Sequence, residues 1–307
     1  MPNDTSNKDD NDGFWDIAFM SQEYEGLERH SDDDGDAEKY PLGSATGKTT
    51  VYRFPNTSIG LHLAELPAED GIMSPVGAIA WYASALLTSL VLQDVANDSV
   101  DSQKRSKFFH SDKTEQTTFR VLELGSGAKG LCGFAAATVL SMSNEKFPSW
   151  VVTMTDNDKD CLEQLKSNVQ ANRSKIISED DQVNKKMNVE YLDWGDDFND
   201  PSNGRLLHAN VVIGSELVYT TETARALVNI LSHLLANNEN IDIWIVQVTD
   251  RSGWQEIVLP AIEASPDVKL EVIPLTWDIH EMACGMIPLG GALDRHAFGA
   301  YHFSKAQ

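Results

Sequence analysis

From residue 119 to the end of the 307-residue chain, short apolar runs alternate with segments of helical period, and this alternation constrains the fold more than any other feature. Strand-like runs fall at Phe119–Leu124, Val151–Thr155, Val189–Leu192, Val211–Gly214, Ile243–Val248, Leu270–Leu275 and Phe298–Phe303. Helical segments fall at Leu131–Met142, Lys159–Arg173, Glu222–Ala236 and Gln255–Glu263. Strands that alternate with helices pair in parallel and are covered on both faces, so an α/β domain with a mostly parallel sheet is predicted for residues 119–307.

Upstream, Thr50–Phe54 and Ser58–Leu63 alternate at period two, the mark of a β-hairpin. Ile79, Tyr82, Ala83, Leu86, Leu87 and Leu90 then recur at helical spacing, so residues 49–93 read as N-terminal strands and a helix. Residues 94–118 are polar and of mixed charge and read as a surface loop. Residues 1–48 read as a disordered tail, because Met1–Tyr40 holds 13 acidic and 3 basic residues and too little apolar surface to offset the entropy of ordering. Phe14 to Met20 forms an apolar island in it, either a docking helix or a segment that packs locally.

With 47 Asp+Glu against 24 Lys+Arg the formal charge is −23, which excludes a binder of nucleic acid by phosphate neutralisation. No charge occurs between Gly71 and Gln93, a length near that of a membrane span. Ser84, Thr88, Ser89 and the acidic flanks favour a buried helix instead, so no membrane partner is expected. Cys132, Cys161 and Cys284 are widely separated and the eight His are scattered, so no metal site is expected. The N-terminus lacks the pattern of a signal or transit peptide, and the cytoplasm, with the nucleus as alternative, is the expected compartment.

The chemistry-bearing residues gather at strand ends. Val121 to Leu124 runs into Gly125-Ser126-Gly127-Ala128-Lys129-Gly130 and then a helix, a turn in which backbone amides approach a ligand. Glu123 before the first glycine speaks against a pyrophosphate, and so against a dinucleotide-dependent oxidoreductase. The next strand ends at Asp156, placed to accept bonds from ribose hydroxyls or to cap the following helix. The third leads to Asp193-Trp194, and the fourth to Ser215-Glu216-Leu217-Val218-Tyr219. Asp250 to Trp254, after the fifth, is either a second substrate loop or a helix start anchored by its tryptophan.

Taken together, Trp81, the Val121–Gly127 segment, Asp156 followed by Leu165, Asn168 and Asn172, the Leu192–Gly195 segment and Ile213–Tyr219 resemble the seven-β-strand S-adenosylmethionine-dependent methyltransferases. More narrowly, they are similar to the methyltransferase-16 family of protein-lysine methyltransferases. The resemblance implies a Rossmann-like seven-stranded sheet, S-adenosylmethionine as cofactor and a protein substrate, and the acidity of the chain adds, by electrostatic steering, the expectation of a basic substrate surface. It implies a cofactor site of Trp81, Glu123, Gly125, Ser126, Gly127, Asp156, Asp193, Trp194 and Ser215, with Glu216 and Tyr219 bordering the substrate channel. The sequence departs from the family pattern in a glycine loop one residue longer, at Ala128 or Lys129, in Asn210 for an Asp, and in Glu216 for the motif Asp. Methylation of a protein histidine or a small molecule, or a catalytically weak binding scaffold, stay open as alternatives to lysine methylation.

Overall fold

The structure, a computed structural model, describes residues 49–55, 57–64, 80–98, 108–109, 118–196, 198, 205–287 and 298–306. Strands β1 (Thr49–Arg53) and β2 (Gly60–Ala64) form the expected antiparallel hairpin. Strands β3 (Phe119–Leu124), β4 (Trp150–Asp156), β5 (Lys185–Tyr191), β6 (Val211–Ser215), β7 (Asp242–Val248), β8 (Val268–Ile273) and β9 (Phe298–Lys305) make a second sheet in the order β5-β4-β3-β6-β7-β9-β8. Only β9 runs against its neighbours, so the Rossmann-like, mostly parallel sheet expected from the sequence is present.

The chain leaves the central strand β3 toward β4 and β5, then returns to the other side of β3 with β6. That reversal opens a crevice at the carboxyl ends of β3 and β6, where open α/β sheets bind ligands. Side chains alternate across β3: Leu122 and Leu124 join the core with Leu227, Ile230, Leu231 and Leu234 of helix α4 (Thr221–Asn237). Glu123 faces the opposite side, where Gly133 of helix α2 (Leu131–Met142) lies against its carboxylate. Each fully buried Leu on these faces contributes ~1.5–3 kcal/mol.

Helix α1 (Tyr82–Asp98) packs on α2 and on α6 (Trp277–Met286), and nearly every described side chain from Tyr82 to Leu92 is buried. The charge-free stretch is therefore a core helix, and among the described residues no helix is long and apolar enough to cross a membrane. Two expectations need correction, the extent of the helix at its start and the loop at 94–118. Trp81 immediately precedes the helix instead of lying within it. The 94–118 segment is not wholly a surface loop, because α1 continues to Asp98 and the buried Phe108 and Phe109 pack on Trp244, Phe119 and Phe147. Helix α6 was not anticipated from the sequence. The tail 1–48, with its apolar island, and most of 99–117 lie outside the described residues.

Helix α3 (Lys159–Ile176) holds the hairpin to the domain through side chains. Asn172 accepts from the His62 amide and donates to its carbonyl, both at 2.8 Å. One turn earlier Asn168 Oδ1 accepts from the Ala64 amide at 2.8 Å, and Lys175 Nζ reaches the Gly60 carbonyl at 3.0 Å. Residues 60, 62 and 64 point their backbone groups away from β1, so these side chains act as the missing neighbour of an edge strand. All described elements fall in one compact unit, Leu42–Ile287 with Arg295–Gln307.

Candidate active site

The loop after β3 turns through Gly125, Gly127 and Gly130 at φ 60°, 56° and 55°, a left-handed conformation that side chains disfavour. Ser126 fastens it to β4. Its amide donates to the Thr155 carbonyl at 2.8 Å, its hydroxyl accepts from the Thr155 amide at 3.0 Å, and the same hydroxyl donates to Glu123 Oε2 at 2.8 Å. Glu123 is buried beneath the loop and also receives the Gly133 amide and the Cys132 thiol. Burial pushes its carboxyl up to about 7 against these donors, with Asp156 adding a smaller push.

Asp156, at the end of β4, accepts from the Gly127 amide at 2.9 Å through Oδ2 and from the Asp158 amide at 3.0 Å through Oδ1. Burial raises its pKa and these amide bonds oppose the rise. Asp158, not Asp156, caps α3, accepting from the Cys161 amide at 2.9 Å. The two roles the sequence left open thus separate, and the Asp156 carboxylate stays beside the loop.

The Trp194 ring flanks Gly125, where a Cβ would stand 3.6 Å from Cζ2 and 3.0 Å from Leu217. Asp193 shapes the approach by accepting the Gly195 amide at 2.8 Å, and Asn229 of α4 holds the Trp194 carbonyl at 3.0 Å. Ser215 hydrogen-bonds Cys132, whose sulfur also lies 3.5 Å from the Ser84 carbonyl. That contact brings the start of α1, and so Trp81, to the start of α2 at the glycine loop.

After β6 the chain turns at Glu216, with φ 49°, the one non-glycine with positive φ among the described residues. The carboxylate, 4% exposed, accepts the Val248 amide at 2.7 Å and Gln247 Nε2 at 3.1 Å through Oε1. Gln247 Oε1 in turn accepts the Leu217 and Val218 amides at 2.9 and 3.1 Å, which fixes the turn. Oε2 faces Arg251, whose Nη2 stands 3.7 Å away. Burial raises the Glu216 pKa, opposed by the Val248 bond and by Arg251. Tyr219 keeps 38% of its surface exposed, and its phenol pKa is raised by burial and by the Glu216 and Asp156 carboxylates.

Glu123, Gly125, Ser126, Gly127, Asp156, Asp193, Trp194, Ser215, Glu216 and Tyr219 lie at the carboxyl ends of β3 to β6 and in the segments that follow them, whereas Asn168 and Asn172 lie on α3 and serve the hairpin. The Asp250–Trp254 segment divides between its two readings: Arg251 joins the site, while Trp254 is fully buried and anchors the π turn that leads into α5 (Leu259–Glu263). Gln247 went unnoticed, since a polar residue inside a strand carries no signal until its partners are known. Two departures from the family pattern find physical roles. Lys129, 4% exposed, extends Nζ to the Ala64 carbonyl at 3.1 Å, so the longer glycine loop grips the hairpin. Asn210 lies at the far edge of the sheet, where Oδ1 accepts the Arg120 amide at 2.7 Å, a task an amide oxygen performs as a carboxylate does. Among the described residues no cluster suits a metal ion.

A family profile described as lysine methyltransferase matches residues 62–252. The chain belongs to the methyltransferase-16 family. The matched segment of this methyltransferase-16 chain runs from His62 in β2 to Ser252 and contains Glu123, Asp156, Trp194, Glu216 and Tyr219, while β8, α6 and β9 lie beyond it. It is 33% identical over 191 residues to the mouse protein N-lysine methyltransferase METTL21A, covering 62% of this chain and 67% of that protein. Solved structures similar to it include the human methyltransferase 10 domain containing protein, with a TM-score of 0.40 at 11% identity over 79% of this chain and 89% of that one. A class I S-adenosylmethionine-dependent methyltransferase from Listeria monocytogenes overlaps with a TM-score of 0.43 at 11% identity, over 77% and 63% of the two chains. By family and fold, the methyltransferase-16 chain is a methyltransferase.

Proposed function

We propose that the protein transfers the methyl group of S-adenosylmethionine to a lysine side chain of a protein substrate. The observation that carries this reading is the meeting, on adjacent strands, of the Asp156-bound glycine loop with the Glu216–Tyr219 turn. The residues suit the cofactor: two acids hold the loop, Glu123 through Ser126 and Asp156 through Gly127, a lining that favours a cationic sulfonium over a polyphosphate. The Asp156 carboxylate accepts the Gly127, Asp158 and Asn157 amides and, with about four acceptor positions, keeps capacity for a ribose hydroxyl. Trp194 beside Gly125 offers a flat apolar face for a base, and Trp81, Asp193 and Ser215 complete the expected lining.

When bound, the cofactor supplies a methyl group activated by positive sulfur. The protein's task is to align an amine with it and exclude water, and alignment of this kind is worth roughly 7–11 kcal/mol. Glu216 Oε2 is the carboxylate oxygen left to meet the amine, because Oε1 is held by Val248 and Gln247. The Tyr219 phenol, kept neutral by its raised pKa, orients the nitrogen by hydrogen bonding. The partly enclosed site favours the deprotonated amine, the form with a lone pair. The acidic chain suits a substrate with a basic surface by electrostatic steering.

The test is incubation of the full chain with methyl-labelled S-adenosylmethionine and a cell extract. Label is expected in protein, and Glu216→Ala and Tyr219→Phe are expected to lower it strongly while cofactor binding, followed by calorimetry, persists. Absence of cofactor binding by the wild-type chain would sink the proposal.

A further inference from the structure

Among the described residues Arg251 is the cation that faces Glu216, and the geometry gives it a role that packing does not require. Glu216 Oε1 is saturated by the Val248 amide and the Gln247 side chain, which fixes one end of the carboxylate to β7. Oε2 is left facing the loop after β7, with Arg251 Nη2 at 3.7 Å. That separation is longer than a bidentate pair would allow, so the guanidinium sets the field at Oε2 without occupying all of its acceptor capacity. Arg251 Nε is buried and donates no hydrogen bond among the described residues, so the guanidinium is not held there by a saturated network. The backbone does hold the loop: the Arg251 carbonyl accepts the Trp254 and Gln255 amides at 3.0 and 3.1 Å, above the fully buried Trp254.

Building on the methyl-transfer reading, we propose that Arg251 is a positioning residue that keeps the Glu216 carboxylate charged and Oε2 directed at the incoming amine. A carboxylate at 4% exposure pays a desolvation penalty that raises its pKa, and the Val248 amide and the nearby Arg251 cation each oppose that rise. Asp250 opposes Arg251 from the same loop, and Tyr219, on the turn of Glu216 itself, feels the charges of Glu216, Asp156 and Arg251. The facing residues of β7, Gln247 and Val248, are neutral. Arg251 is thus the positive counterweight, and its side chain can be changed while the backbone bonds that anchor the loop remain.

The experiment follows the Glu216 side-chain carboxyl by carbon-13 NMR in glutamate-labelled full-length protein, the resonance being assigned by its loss in Glu216→Gln. In Arg251→Gln the titration midpoint is expected to rise by about one pH unit, the lower end of the effect of an opposite charge within ~4–6 Å. The acid limb of kcat/KM is expected to rise with it, and Arg251→Lys is expected to leave both near wild type. A midpoint unmoved in Arg251→Gln, or moved equally in Arg251→Lys, overturns the role. The titration does not depend on turnover, so a failure of methyl transfer in the wild-type chain counts against the proposed function alone.

Discussion

The Gly127 amide donates to Asp156 Oδ2 at 2.9 Å, so the glycine loop of one strand rests on the acid that ends the next. Twenty-nine residues apart in sequence, the two form one unit of the binding crevice. Removing the carboxylate takes the acceptor from the loop amide and, in the proposed cofactor site, the partner from a ribose. Asp156→Ala is expected to weaken S-adenosylmethionine binding at least tenfold, since a hydrogen bond to a charged group is worth ~1.5–3 kcal/mol. Asp156→Asn keeps an acceptor for Gly127 and is expected to weaken it less. Calorimetric titration with the cofactor checks both.

Glu123 makes stability depend on pH in a stated direction. Burial moves its carboxyl from 4.5 up to about 7 in the folded chain, so the folded state holds this proton more tightly than the unfolded one. Stability from this group is therefore present below about 4.5 and is lost as pH rises to about 7, by on the order of 3 kcal/mol. Urea unfolding between pH 4.5 and 8 is expected to show that fall in the wild-type chain and to lose this component of it in Glu123→Gln.

The alternation of strands and helices was legible because apolar runs and helical periods are local properties, and Leu131–Met142 matched to the residue. The glycine loop and Asp156 were legible because tight turns demand glycine and strand ends expose acids. What could not be read was who holds whom. Asn168 and Asn172 stood out at four-residue spacing, yet their partners lie more than a hundred residues upstream on β2. Helix α6 was missed because its buried positions, Ile279, His280, Ala283 and Met286, alternate with an exposed Trp277 and include a glycine nearby. Lys129 is a charged residue that the structure buries, with its contact to the Ala64 carbonyl as one partner that no sequence pattern announces.

The asparagine clamp carries a stability consequence. Asn172→Ala leaves both the amide and the carbonyl of His62 without this partner, and a loss of about 1–3 kcal/mol is expected. Asn172→Asp keeps the acceptor for the amide but sets a carboxylate against the carbonyl, so it too is expected to destabilise. Chemical denaturation of each variant, with circular dichroism as the readout, measures the difference.

Glu216→Asp separates geometry from charge. The shorter side chain withdraws the carboxylate by about one C–C bond, a displacement of the order that costs ~10²-fold in rate. The turn itself is expected to tolerate the change, because Asp enters the left-handed region more readily than most residues. A fall in kcat with an unchanged cofactor dissociation constant is the expected result, read by steady-state kinetics and calorimetry on the same preparation.

The central claim, methyl transfer to a protein lysine, is tested most directly by locating the transferred methyl group. Protein labelled by the wild-type chain with methyl-tritiated S-adenosylmethionine is hydrolysed to amino acids and resolved by chromatography. Label in Nζ-methylated lysine, absent when Asp156→Ala replaces the wild-type chain, is the expected result. Label confined to methylhistidine or to small molecules, or no label above the Asp156→Ala control, would contradict it.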